Sequence, residues 1–359
     1  MAAARPGIHR PAPGRPPARA GEYPLLLAQV RARGLLDRRP AWYVARIGGL
    51  VAATAACWAA VLRCGDGPQV FGLAVLLAAL SAHAGFLGHD AAHEQAFASH
   101  RANAWTVFLL ANLLTGTSYG WWTDEHNRHH RYPNDPERDP NVADIVLSLS
   151  PERALGRHGA RRFLAAHQAW LYFPLTLLQG FNLHHVSLRA LRRPELFRTV
   201  PRRAEVLGLA AHALAYTGLL LVAAGPLTAV LFALVHHALW GLYLGAVFAP
   251  NHKGMPALTP EDARDPVRRQ VVTACNIRGG RLVGFWYGGL NHQIEHHLFP
   301  TMPRPALRQA APLVEEFCRL RGIPYATETV SETYLRVLRH LHAAGAPLRA
   351  RPHRAEERA

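Results

Sequence analysis

Residues Gly289–Pro300 read GLNHQIEHHLFP, in which a glutamine is followed three and four positions later by two adjacent histidines. On an α-helix, Gln293, His296 and His297 lie at positions i, i+3 and i+4, so their side chains share one face. Imidazole nitrogen is a common ligand of iron, copper, nickel and zinc. The stretch therefore predicts a helix that presents metal ligands from one face.

The same kind of spacing occurs twice earlier in the chain. His126, His129 and His130 form an H-x-x-H-H pattern, and His89 and His93 are four positions apart. With the histidine pair of the first stretch, these patterns supply seven histidines. A zinc site takes only about three or four protein ligands. Seven converging histidines therefore predict a centre of two metal ions, and we expect iron as the metal.

The three patterns carry a family resemblance. HDAAH at 89–93, HNRHH at 126–130 and QIEHHLFP at 293–300 resemble the three histidine boxes of the membrane fatty acid desaturases. The glutamine that leads the third box is similar to that of the front-end and related bacterial acyl desaturases. The order and separation of the boxes also fit, and the resemblance runs from about His83 to Tyr325. It implies an enzyme that introduces a cis double bond into an acyl chain, with O2, two electrons and a histidine-ligated di-iron centre.

The positions of the histidines and the resemblance together give the predicted ligand set. The predicted ligands are His89, His93, His126, His129, His130, His252, His296 and His297. His252 directly follows the last apolar segment, and the pair Asn251-His252 resembles an added Asn/His site of related desaturases. Two roles stay open for Gln293 and Asn251: each binds iron, directly or through water, or forms hydrogen bonds to a ligand. His292 is not predicted to bind, because one helical position turns it by about 100° from Gln293.

Four apolar segments are long enough to cross a membrane. The mean hydropathy of -0.02 hides them, because polar tails and loops dilute the apolar runs. Short turns after the first and third segments join the four into two hairpins. The predicted spans are residues 41–62, 70–87, 206–224 and 227–249.

The metal site determines how the other apolar segments lie. A full crossing by Asn103–Trp122 would place His126 and His89 on opposite sides of the membrane. Because both are predicted to reach one centre, this segment and Ala169–Leu183 should lie in the membrane interface or dip into the membrane and return. From Met255 onward the chain is mostly polar, which predicts a cap outside the membrane.

The predicted fold class is an all-α membrane protein. It has four transmembrane helices in two hairpins, interfacial helices, and a cytosolic helical cap that holds the di-iron site. The predicted divisions are a basic cytosolic tail at 1–40, partly disordered, the membrane desaturase domain at 41–325, and a C-terminal cytosolic extension at 326–359.

The positive charge favours a membrane surface over nucleic acid. The formal net charge is +16, yet the arginines flank the apolar segments, and six of them lie between residues 189 and 203. An arginine-rich connection of this kind is typical of the cytosolic side of a membrane protein, next to anionic lipid. We therefore predict an integral protein of a bacterial cytoplasmic membrane, with its active site on the cytosolic side and no nucleic-acid partner.

The resemblance also implies the reaction partners. The substrate would be an acyl lipid or acyl-CoA, with O2 as co-substrate. The sequence contains no HPGG heme motif and no flavin fingerprint. The electrons are therefore predicted to come from a separate donor: a ferredoxin, a flavin reductase or cytochrome b5.

Two other functions fit parts of the pattern. A lipid hydroxylase or carotenoid oxygenase of the same metal class would use the same boxes. A non-enzymatic membrane metal carrier would place ionisable residues along a path at mid-membrane, whereas the boxes lie at the ends of the spans. His212, His236 and His237 do lie within spans, and we predict that they are neutral and hydrogen-bonded between helices.

Carboxylates next to the boxes are candidate partners of the ligand rings. Metal-bound imidazole usually donates its second N–H to a carboxylate or a carbonyl. One or two of five residues are predicted to accept such a bond: Asp90, Glu94, Asp124, Glu125 and Glu295.

Overall fold

The computed structural model describes residues 23–142 and 146–349, and these are mostly helical. The α-helices in chain order are α1 (Tyr23–Ala32), α2 (Pro40–Cys64), α3 (Val70–Ala92), α4 (His100–Val107), α5 (Tyr119–Arg131), α6 (Pro151–Leu155), α7 (Gly159–Thr176), α8 (Gln179–Ala190), α9 (Arg202–Ala223), α10 (Pro226–His252), α11 (Pro260–Arg264), α12 (Pro266–Val271), α13 (Arg281–Trp286), α14 (Gln293–Leu298), α15 (Arg304–Arg321), α16 (Val330–Ala344) and α17 (Ala346–Arg349). A π-helical segment, Phe108–Thr115, follows α4. The strands β1 (Asn276–Arg278) and β2 (Thr327–Thr329) pair in parallel. The predicted all-α class is confirmed.

Four helices form the predicted membrane-spanning bundle. In the described part of the chain, α2, α3, α9 and α10 are the helices long and apolar enough to cross a membrane. They form two hairpins, and α3 packs against α10. At the end of the bundle that carries the histidine boxes, α3 and α10 run past their predicted ends to Ala92 and His252, and α9 begins before its predicted start, at Arg202. Apolar composition marks where the membrane ends, whereas these helices continue into the cap, where buried polar side chains find partners.

The end of the bundle away from the histidine boxes is closed by apolar packing. Val61, Leu77, Leu220 and Phe232 are buried against one another there. The ring of Trp58 lies 6.1 Å from that of Phe232. Within a bilayer, contacts of this kind stabilise helix association by close packing rather than by exclusion of water.

The segment after α3 turns back instead of crossing the bundle. The π-helical segment packs against α3 and α9 and is followed by Gly116, whose φ of 64° lies in the left-handed region. Ser118 then caps α5, because its Oγ accepts a hydrogen bond from the Trp121 N–H at 3.2 Å. His126 on α5 consequently returns to the end of the bundle that holds His89, and the two rings are 4.8 Å apart.

The cap has its own core around α14 and α15. Ile294, Met302, Val314 and Phe317 are buried in it. Helix α1 packs on this core through Leu26, although it belongs to the segment for which we predicted a basic tail. The rest of that tail, residues 1–22, and the last residues of the predicted extension, 350–359, lie outside the described residues.

Candidate metal centre

The predicted ligands converge from four helices at one end of the bundle. Helix α3 carries His89 and ends just before His93, α5 carries the second box, α14 carries the third, and α10 ends at His252. Their imidazoles form two groups, and within each group one nitrogen per ring lies within 4.8 Å of the others. The first group contains His89, His93, His126, His130 and His296, and the second contains His129, His252 and His297. All eight histidines are therefore brought together.

Close nitrogen–nitrogen contacts define the first group. The Nε2 atom of His126 lies 2.8 Å from Nε2 of His93 and 3.0 Å from Nε2 of His130. The Nε2 atom of His130 lies 3.1 Å from Nε2 of His296. Neutral imidazole has a single N–H, so one lone pair of every ring remains for another partner. This inward-facing set of nitrogens fits a transition-metal ion.

The second group lies directly beside the first. The Nε2 atoms of His129 and His252 are 3.3 Å apart. The ring of His297 lies 4.8 Å from that of His252, and on its other side it stacks on His130 of the first group at 4.3 Å. Each of the two neighbouring groups of histidine nitrogens could hold a metal ion.

Burial keeps the box histidines in the form that binds metal. It lowers the pKa of five of them well below the ordinary value of 6.5. Those five are His93, His126, His130, His296 and His297. Neutral rings at physiological pH carry the lone pairs that a metal ion requires.

Partners outside the two groups orient the histidine rings. The Nδ1 atom of His129 lies 2.9 Å from Asp139 Oδ2, and that of His297 lies 2.9 Å from Gln270 Oε1. The Nδ1 atom of His252 lies 3.0 Å from the Thr273 carbonyl oxygen. Acceptors at Nδ1 fix the tautomer and leave Nε2 with its lone pair directed toward the centre.

Most of the carboxylates that adjoin the boxes do not contact the box histidines but pair with other side chains. Asp90 is the exception, with its Oδ1 atom 3.4 Å from Nδ1 of His89, and it also forms an ion pair with Arg304 at 2.7 Å. Glu94 contacts His100, and Asp124 and Glu125 pair with Arg128. The sequence did not predict the roles of Asp139 and Gln270. Their partners His129 and His297 are 10 and 27 residues away along the chain, too far for contact within one helical turn, and no local pattern marks them.

Glu295 holds the helix of the third box in place. Its carboxylate accepts hydrogen bonds from Asn276 Nδ2 and Tyr325 OH, both at 2.8 Å. Asn276 also accepts a bond from the backbone N–H of Ile294 at 2.9 Å, at the start of α14. Burial raises the pKa of Glu295 to about 7. The side chain thus ties α14 to β1 and to the segment before β2.

Gln293, Asn251 and His292 lie at different distances from the second group. Gln293 Nε2 lies 3.0 Å from Nε2 of His252, and Gln293 Oε1 accepts a hydrogen bond from Asn251 Nδ2 at 3.0 Å. Gln293 therefore borders the second group, and Asn251 orients its amide. His292 belongs to neither group, and its Nδ1 atom lies 3.9 Å from Glu295 Oε2.

A buried carboxylate at the start of α9 anchors the helix of the second box. Glu205 accepts hydrogen bonds from Ser118 Oγ at 2.6 Å and from the Gly120 N–H at 2.7 Å, at the first turn of α5. It accepts a third from Asn112 Nδ2 at 3.3 Å. A negative charge at a helix N-terminus is favourable for both the free N–H groups and the helix dipole. No sequence pattern marks Glu205 as a partner of the second box, because it lies far from the boxes along the chain.

We predict that Glu205→Ala destabilises the protein and loosens the second box. Three buried donors would lose their acceptor, at a cost of about 1–3 kcal/mol for each unsatisfied group. The melting temperature should fall by roughly 5 °C or more, and the metal content of the purified protein should fall with it. Glu195→Ala, an exposed change in the preceding connection, is the matched control. An unchanged melting temperature and metal content in Glu205→Ala would show that α5 does not depend on this anchor.

The histidines within the spans are hydrogen-bonded away from both groups. His236 joins α10 to two other helices through Ser81 and Tyr216, and His212 contacts the Leu113 carbonyl at 2.9 Å. His237 differs from the prediction, since its Nδ1 atom bonds the Ala233 carbonyl of its own helix at 2.8 Å.

Comparison with known proteins places this geometry in a family. The sequence model of the family named Fatty acid desaturase matches residues 66–329, more than half of the chain. The chain is 29% identical to the Delta(5) fatty acid desaturase fat-4 of Caenorhabditis elegans, over 84% of this chain and 69% of that protein. It is 28% identical to the acyl-lipid (9-3)-desaturase of Physcomitrium patens, over 79% of this chain and 54% of that protein. It is 29% identical to the Delta(8)-fatty-acid desaturase 2 of Arabidopsis thaliana, over 90% and 74%. With its membrane-spanning bundle and its converging histidine boxes, the chain belongs to the fatty acid desaturase family.

Proposed function

We propose that this protein is an O2-dependent acyl desaturase that introduces a cis double bond into a fatty acyl chain. The observation that carries the proposal is the convergence of eight histidines in two adjacent groups at one end of a membrane-spanning bundle. The relatives to which the chain is similar are named desaturases. Those names favour desaturation over hydroxylation or carotenoid oxygenation, and over metal transport without catalysis.

The proposed cofactor is a pair of iron ions. Bound iron would supply the O2 activation that removal of hydrogen from an unactivated methylene pair requires. The first group of five histidines would hold one ion, and the second group of three would hold the other. Gln293 borders the second group with its Nε2 atom facing His252, which keeps His252 in place, while Oε1 accepts a hydrogen bond from Asn251. To bind the ion through Oε1 instead, the Gln293 amide would turn over and give up this bond to Asn251.

The residues around the two groups prepare the site for its reaction. Asp139 and Gln270 orient His129 and His297, so little rearrangement of these rings is needed for a metal ion to bind. Burial excludes water from His296 and His89, whose side chains are almost completely inaccessible. A dry, preorganised site suits a reaction in which a strong oxidant must meet the acyl chain and not solvent.

The substrate and the electron donor follow from the family and the location of the site. We propose an acyl chain carried by a membrane lipid or by CoA, because the histidine groups lie where the bundle meets the cap. Two of the relatives to which the chain is similar are named acyl-lipid desaturases. The two electrons would come from a separate protein: a ferredoxin, a flavin reductase or cytochrome b5.

The proposed function is tested by product analysis. Expression in a desaturase-deficient host should yield unsaturated acyl chains, and mass spectrometry should locate one new cis double bond. The purified protein should turn over only when a donor system is added. A matched strain with His130→Ala should give no new product. A hydroxylated acyl chain as the main product would replace this proposal with the hydroxylase alternative.

We further propose that the boxes lie on the cytosolic side of a bacterial cytoplasmic membrane. Six arginines lie in the exposed connection 189–203, at the box end of α9. Three single substitutions to cysteine test this topology. Ser99→Cys and Thr259→Cys replace exposed residues near this end, and Gln69→Cys replaces an exposed residue in the turn at the opposite end. A membrane-impermeant thiol reagent added to inverted vesicles should label the first two and not the third. Labelling of Ser99→Cys and Thr259→Cys from opposite sides would refute this topology.

A further inference from the structure

A second polar cluster lies inside the membrane-spanning bundle, apart from the metal centre. Tyr216 OH lies 2.9 Å from Nδ1 of His236, and Nε2 of the same ring lies 3.1 Å from Ser81 Oγ. These residues belong to α9, α10 and α3. Ser81 precedes His89 by eight positions, which corresponds to about 12 Å along the helix. Ionisable and polar groups at this depth in a membrane are candidates for function.

The cluster borders a cavity with a volume of about 240 Å³. Apolar side chains from α2, α3, α9 and the π-helical segment form most of its wall, among them Trp58, Leu77, Leu114 and Leu219. On one side the wall is made by Val51, Ala55, Leu113 and Ala215, which are exposed. Because they belong to or adjoin membrane-spanning helices, the cavity opens toward lipid.

His212 gives the cavity a hydrogen-bond acceptor. The ring lines the cavity, and its Nδ1 atom lies 2.9 Å from the carbonyl oxygen of Leu113. A carbonyl oxygen can only accept, so the proton of this neutral imidazole is on Nδ1. The Nε2 atom therefore carries a lone pair and can accept a hydrogen bond from a ligand.

The Ser81–His236–Tyr216 chain gives the cavity a donor. If His236 is protonated on Nε2, it donates to Ser81 and accepts from Tyr216, which leaves the Ser81 hydroxyl hydrogen unused in the chain. If it is protonated on Nδ1, it donates to Tyr216 and accepts from Ser81, which leaves the Tyr216 hydrogen unused. Either tautomer leaves one hydroxyl hydrogen for a ligand.

We propose that this cavity binds a membrane-soluble molecule through a hydroxyl group. A hydroxyl both donates and accepts, so it can donate to His212 Nε2 and accept from Ser81 or Tyr216 at once. The volume is below that of a pocket for a whole drug-sized ligand, about 300 Å³ or more, so the cavity holds a headgroup or a chain end while the rest of the molecule stays in lipid. A long-chain alcohol and a quinol headgroup both have this chemistry.

Photolabelling of the full-length protein in lipid nanodiscs tests the proposal. The probe is a long-chain alcohol that carries a diazirine near its hydroxyl group, and cross-linked peptides are mapped by mass spectrometry. We expect labels on α2 and α9 around Ala55 and Ala215. An unlabelled alcohol or a short-chain quinol should compete about tenfold better than an alkane of equal length, since two hydrogen bonds distinguish them.

The competitors also identify the source of the hydroxyl. Stronger competition by the quinol assigns the cavity to a quinol headgroup, and stronger competition by the alcohol assigns it to a hydroxylated chain. Equal competition by the alkane would overturn the proposal, because the cavity would then hold an acyl chain without polar recognition. Absence of labelling on α2 and α9 would also overturn it and leave water as the occupant.

A pair of neighbouring substitutions controls for the lipid-facing surface. Ala215→Trp fills the side of the cavity, whereas Leu214→Trp adds the same bulk at a side chain that is 75% exposed on the outside of α9. Labelling should fall about tenfold in the first variant and stay unchanged in the second. An equal change in both would show that the label reports lipid contact. The readout needs neither metal nor turnover, so it is independent of the proposed desaturase function.

Discussion

Replacing His130 by alanine should remove metal from the first histidine group and abolish desaturation. The His130 Nε2 atom lies close to the nitrogens of His126 and His296, and its ring stacks on His297 of the second group. His130 therefore belongs to the first group and also contacts the second. Loss of a residue that merely orients a ligand typically lowers metal affinity or activity by about 10–100-fold. Loss of the ligand itself should therefore lower activity by roughly 100-fold or more.

The measurement is the amount of iron per chain, with product formation as a second readout. His185→Ala is a suitable control, because His185 is an exposed histidine on α8 outside both groups. The control should keep its full metal content and activity. If His130→Ala retained as much iron as the unmodified protein, the first group would not be a metal site.

The spacing within each box was sufficient to predict which of its side chains share a helical face, because i, i+3 and i+4 positions do so whatever the surrounding fold. How the histidines of each box divide between the two groups was not predicted. The requirement that His126 and His89 meet also predicted that residues 103–122 return rather than cross. Both expectations rest on geometry within one helix or on a single distance constraint. The structure agrees with them for that reason.

Contacts made by tertiary packing could not be predicted from the sequence. Asp139 lies in an irregular polar loop, and nothing in its neighbourhood distinguishes it from Asp135 as the partner of His129. Gln270 and Glu205 act on boxes that lie 27 residues and more away along the chain, at His297 and at the start of α5. The helix ends were also missed, since composition records the membrane boundary and α10 continues beyond it to His252.

The second large effect is expected at the end of α10, where the variant His252→Ala should lose iron. The variant His292→Ala, at the residue before α14, should keep its iron. The His252 Nε2 atom lies 3.3 Å from that of His129, and its Nδ1 atom is held by the Thr273 carbonyl. With His297, these two rings make up the second group. Removing one of three histidines should empty this position, so iron should fall by about one ion per chain and activity by roughly 100-fold.

His292 is a matched control, because it is also a partly buried histidine next to the third box, yet it belongs to neither group. Its Nδ1 atom lies near Glu295, which is itself held by Asn276 and Tyr325, so the loss of the ring leaves the Glu295 hydrogen bonds intact. Iron per chain in the two purified variants decides between the assignments. Full iron in His252→Ala together with depleted iron in His292→Ala would mean that α14 turns a different face toward the metal. In that case, α10 would contribute no ligand, and the second hairpin would be joined to the centre by packing and by the hydrogen bonds of Glu205 and Asn251.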